Sequence, residues 1–83
     1  MKPKYQQAFD ALKTLGVPVY EHADDNGNFS IDAEHPRADT FVAYYATQPD
    51  WVFGVCPAVH NLLRTFGLFA EWVNPGRLSI HQA

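Results

Sequence analysis

The chain has 83 residues, 47 % of them hydrophobic and 18 % charged, with a formal net charge of −3, which describes one folded domain and argues against disorder. Its longest apolar runs, residues 41–46 and 51–59, fall short of the ~18 residues a membrane helix requires. A single cysteine excludes an internal disulfide and hence a secreted cystine scaffold, so a reducing cytoplasm is the expected setting.

The N-terminal MKPKYQQAFD has no apolar stretch of the signal-peptide kind. Instead Pro3 can open a helix, and Tyr5, Ala8, Phe9, Leu12 and Leu15 recur at helical spacing until Gly16 offers a left-handed stop. Residues 17–22 read as a strand with Pro18 at its start or on an edge. Asp24-Asp25-Asn26-Gly27 is a strong turn signal, and residues 28–32 alternate as the returning strand. Residues 33–39 read as loop. Residues 40–46, rich in β-branched and aromatic side chains, predict a central strand, and 51–55 predict a short strand completing a second hairpin.

Pro57 suits a helix start, and Ala58, Val59, Leu62, Leu63 and Phe66 form a second apolar stripe ended by Gly67. Residues 68–73 and 77–81 form a last hairpin around Asn74-Pro75-Gly76. A three-residue loop places Trp72 opposite Leu78 and Ala70 opposite Ile80, which keeps one face apolar. A one-residue slip would invert every side chain, so this register is preferred, with Glu71, Arg77, Ser79 and His81 turned to solvent. The fold class is therefore α+β: a mainly antiparallel sheet with two helices packed on one face, in the order α-β-β-β-β-α-β-β.

The sequence also echoes itself. Residues 12–16 (LKTLG) match 63–67 (LRTFG), and 27–31 (GNFSI) match 76–80 (GRLSI), six of the ten pairs being identical. Either a helix-plus-hairpin unit is duplicated, or two segments have converged on the same helix stop and turn glycine.

Charge is uneven. Residues 21–39 hold six acids against Arg37, a net −5, while the remainder carries +2. Such a block reads as a solvated rim or as a patch that steers toward a basic partner.

Catalytic signals are sparse. Cys56 before Pro57, with His60 one turn on, would suit a thiol nucleophile at a helix N-terminus. There is no second cysteine, however, and apolar flanks favour plain burial. His22, His35, His60 and His81 lack paired zinc-ligand spacing. Residues 24–28 (DDNGN) begin like a calcium loop but continue with Phe29 and His35 where glycine and a bidentate acid belong. Glu21 and Asp32 read as exposed hairpin acids rather than a catalytic pair. No serine elbow or glycine-rich phosphate loop is present, and neither a cofactor nor a metal is expected.

Aromatic residues are abundant, but residues 38–63 contain no Lys or Arg, so a stacking platform there would lack counter-charge for phosphates and no direct nucleic-acid binding is expected. One sheet face cannot bury all the large residues of that stretch, and an apolar patch with polar rims marks a protein interface. The expected role is a small non-enzymatic interaction module, an inhibitor or adaptor in the style of phage and mobile-element accessory proteins. A protein partner or a homodimer through a sheet face or edge would be engaged by Tyr44, Tyr45 and Trp51, with Glu21, Asp24 and Asp25 at the rim. The alternatives are a small-molecule or thiol-dependent activity at Cys56/His60, and an acidic decoy of a nucleic-acid-binding protein.

Overall fold

The computed structural model describes residues 1–23 and 26–83. Helix α1 (Pro3–Leu15) opens on a proline, whose missing N–H costs nothing in a first turn. Its stripe of Tyr5, Ala8 and Leu12 is buried. Helix α2 (Pro57–Thr65) also opens on a proline and buries Val59 and Leu63. Four antiparallel strands, β1 (Val19–Tyr20), β2 (Ser30–Asp32), β3 (Leu68–Asn74) and β4 (Arg77–Gln82), form one sheet in the spatial order β1-β2-β4-β3. Ile31, Leu78 and Ile80 on one face of the sheet join Leu12, Val59, Leu63 and Phe29 in a single core cluster. The α+β class, the antiparallel sheet and the succession of helix, strands, helix, strands all hold.

The register of the last hairpin is the expected one: Trp72 pairs with Leu78, Ala70 with Ile80 and Glu71 with Ser79. The loop is two residues, Pro75 and Gly76, rather than the expected three, because Asn74 pairs with Arg77 and the extra residue, Val73, is taken up as a bulge between Trp72 and Asn74. The opposite face is less open than its polarity suggests. Ser30 and Ser79 are buried, in a row between the larger Tyr20 and Glu71. In the first hairpin, Asn26 and Gly27 both have positive φ (52° and 89°), in keeping with a turn; Asp24 and Asp25 lie outside the described residues.

Two of the six expected strands are absent as ladder strands. Residues 40–46 and 51–55 touch through one isolated bridge, Val42 to Val55, and a second, Val52 to Val55, closes a turn within the latter. A short 3-10 turn (Ala38–Thr40) leads into this stretch, and further turns interrupt it at residues 43–46 and 52–55. Strand propensity reports how well a side chain suits a half-buried pleated surface. Here that surface is supplied by the core, which receives Val42 and Val55, and no neighbouring strand is needed.

Candidate functional site

The stretch between the first hairpin and α2 is pinned at its base and exposed at its crest. Phe41 and Val42 N–H both donate to the Ala38 carbonyl at 2.8 Å, and Cys56 N–H returns to the Phe41 carbonyl at 2.8 Å. Ala43 N–H donates to the Gly54 carbonyl at 2.8 Å. Val52 and Val55 exchange backbone hydrogen bonds of 2.9 and 3.0 Å around Phe53 and Gly54, whose φ values are 49° and 79°. Positive φ at both central positions is the type I′ pattern. Gly54 is obligatory there, since a β-carbon would run into the Ala43 carbonyl. Phe53 is not of the type that this conformation favours, and a bulky residue held in the left-handed region is a strained element that points to function.

Phe53 is also 86 % exposed. Its carbonyl accepts the indole Nε1–H of Trp72 at 2.6 Å, which ties the turn to β3. Trp72 in turn supports Tyr44 in an edge-to-face contact with ring centroids 5.2 Å apart, and Tyr44 meets Tyr45 in the same way at 4.9 Å. Tyr44 is 46 % and Tyr45 81 % exposed. The result is a rigidly backed aromatic crest on an edge of the sheet. Beside it, Val52, Phe53, Val55, Leu63, Phe69 and His60 line an apolar groove of about 450 Å³. Phe69 and Val73, on β3, extend the exposed apolar surface.

The strand beneath this groove is open along its outer side. Ala83 N–H donates to the Gly67 carbonyl at 2.9 Å, so residues 67, 69 and 71 direct their backbone groups at β4. Leu68, Ala70 and Trp72 direct theirs outward. The opposite edge, β1, is two residues long and follows Pro18, which has no N–H to offer.

The sequence-predicted residues separate into those the fold gathers and those it does not. Tyr44 and Tyr45 are gathered on the crest, though on a loop rather than on a sheet face. Trp51 is half-buried, packs on the core and lines a hollow with Tyr44, Phe53 and Trp72. Glu21 is exposed but follows β1, across the sheet from the crest on β3. The acid that lines the hollow beside Tyr44 and Tyr45 is Asp39. Glu34 lays its carboxylate against Gly76 at the tip of the last hairpin. Phe53, Phe69 and Asp39 are not among the residues that the sequence nominates for an interface. A Phe-Gly pair between two valines was the available signal for a tight turn with a displayed aromatic.

Cys56 takes the N-cap position of α2 without a side-chain capping bond, and it is 8 % exposed within the core cluster. His60 is half-buried on the wall of the apolar groove. Among the described residues, no group of three or more His, Cys, Asp or Glu side chains is placed to hold a metal ion. No helix among them is long and apolar enough to cross a membrane.

No protein-family model, curated protein or solved structure matches the chain.

Proposed function

We propose that the protein is a small interaction module that binds a partner protein through the aromatic crest of Tyr44, Tyr45 and Phe53. The observation that carries this reading is Phe53, a large apolar side chain held out in solvent on a left-handed backbone that glycine would occupy more cheaply. Nothing in folding favours that choice. Docking does, because aromatic anchors on a rigid support bring large contact area at little entropic cost. The absence of Lys and Arg from residues 38–63, together with Asp39 beside the tyrosines, directs the surface toward a neutral or basic partner rather than toward nucleic acid.

The test is paired capture from cells of the source organism. Wild-type protein and a Tyr45→Ala/Phe53→Ala variant serve as baits, with folding of both checked by near-UV circular dichroism. A protein enriched by the wild type and lost with the variant supports the reading. Equal recovery by both baits overturns it.

A further inference from the structure

Two segments of the chain follow one structural pattern. The buried helix positions Ala8 and Leu12 in α1 answer to Val59 and Leu63, each 51 residues later, in α2. At the same shift, Thr14 Oγ1 donates to the Asp10 carbonyl and Thr65 Oγ1 to the Asn61 carbonyl, both at 2.9 Å. Gly16 N–H donates to the Lys13 carbonyl and Gly67 N–H to the Arg64 carbonyl, at 3.0 and 2.9 Å, and both glycines have positive φ. The residues that follow, Val17 and Leu68, are both buried.

The hairpins agree as well. Val19 pairs with Ile31 and Tyr20 with Ser30 in the first, Ala70 with Ile80 and Glu71 with Ser79 in the second. The first strands keep the shift of 51 and the second strands have a shift of 49, because the later connection is two residues shorter. Convergence on a helix stop and a turn glycine accounts for two glycines. It does not account for equal pairing registers, equal hydroxyl bonds and equal burial in both halves.

The seam between the halves adds an independent observation. β2 and β4 are its strands, and Ser30 pairs with its own counterpart Ser79. One step away, Ile31 pairs with Leu78, and on the other side the Ile80 N–H donates to the Phe29 carbonyl at 2.9 Å. Phe29 corresponds to Leu78 and Ile31 to Ile80, so exchanging the halves leaves the seam unchanged. The spatial order β1-β2-β4-β3 has the same property, reading edge, inner, inner, edge from either side. This is the geometry of an isologous interface, in which one surface patch meets itself across a twofold axis.

We infer that the chain is a fused dimer: residues 6–32 and 57–81 are two copies of one helix–hairpin unit, and the β2–β4 seam is the self-complementary surface by which that unit binds a second copy of itself. Residues 33–56 then occur once, as the tether between the copies, and they carry the aromatic crest. The inference does not depend on what the crest binds.

Two full-length chains test it. In one, residues 6–32 also replace 57–81; in the other, residues 57–81 also replace 6–32. If the seam is self-complementary, at least one doubled chain sediments as a monomer with the wild-type circular dichroism spectrum and unfolds cooperatively in urea. The amides around both copies of Ser30, or both copies of Ser79, are then protected from hydrogen exchange. The inference is overturned if neither chain folds, or if a folded one leaves those seam amides unprotected.

Discussion

Large apolar side chains occur both in the two helix–hairpin segments and in the stretch that joins them, and the joining stretch divides its own between the core (Val42, Val55) and solvent (Tyr44, Tyr45, Phe53). Within the helices and strands, Leu12, Leu63, Ile31 and Ile80 recur at helical or alternate spacing and vanish into one core. Between them, Tyr44, Tyr45 and Phe53 follow turns, share no period and remain in solvent. Regular spacing turns side chains toward a common layer, which buries them together. A chain of successive turns points each side chain its own way, so that burial of one says nothing of the next. The helix–hairpin segments therefore hold the fold, and the joining stretch is free to present a surface, as long unstructured connections in small domains often do.

Substitution should separate the two regions. The largest effect is expected at the core: Leu12→Ala and Leu63→Ala each destabilise by about 2–5 kcal/mol, since the cavity left adds to the lost transfer energy. In a domain this small such a loss is a large share of the whole stability, and the urea midpoint should fall steeply. If Leu63→Ala shifted that midpoint no more than Tyr45→Ala does, the division of labour drawn above would be wrong.

On the crest the pattern reverses. Tyr45→Ala removes an exposed ring and should change stability by no more than about 0.5 kcal/mol. Its binding cost should be ~2 kcal/mol or more, roughly a 30-fold rise in Kd once a partner is in hand, measurable by calorimetry. Phe53→Gly sharpens the contrast because its two effects have opposite signs. Relief of the left-handed backbone gains ~1–2 kcal/mol and the greater entropy of unfolded glycine returns ~0.5–1, leaving a net stabilisation of up to about 1.5 kcal/mol. The same change deletes an anchor, so thermal stability should rise while affinity falls. A variant that is both less stable and fully active would show that Phe53 serves packing.

How far the molecule could be read in advance follows the same division. The helices were legible because Pro3 and Pro57 open them, glycines close them and the apolar residues between keep a 3.6-residue period. The last hairpin was legible to the level of register, because only one pairing keeps Ala70, Trp72, Leu78 and Ile80 on one face. Residues 40–46 and 51–55 differ from the expected strands because Val, Tyr, Trp and Phe favour any half-buried surface, and composition alone does not say whether a neighbouring strand is there to pair with. Tyr44 and Tyr45 are exposed for the reason the sequence offers, an excess of large residues over available burial, whereas Glu21, expected at their rim, does not lie beside them. Glu21 belongs to the same acidic segment as Asp39 but sits past the far edge strand, whereas Asp39, nearer the tyrosines in the chain, is brought beside them by the turn at Ala38–Thr40. Membership of one acidic segment is a poor guide to position across a sheet whose first strand ends up outermost.

The smallest predicted effect tests that last point. Asp39→Asn leaves the aromatic crest in place and removes one charge from its margin. A rim charge contributes mainly by guiding encounter, so association should slow a few-fold at about 10 mM salt while dissociation is unchanged. Near 1 M salt, where the Debye length falls to ~3 Å, the variant and the wild type should associate at the same rate. Glu21→Gln, made past the opposite edge strand, should leave both rates as they are. Stopped-flow measurements across a salt series distinguish these outcomes. An Asp24→Asn/Asp25→Asn variant completes the set: if it alone abolished binding while Tyr45→Ala had no effect, attraction to the acidic 21–39 segment would replace aromatic docking as the basis of recognition, and the protein would act as an acidic decoy.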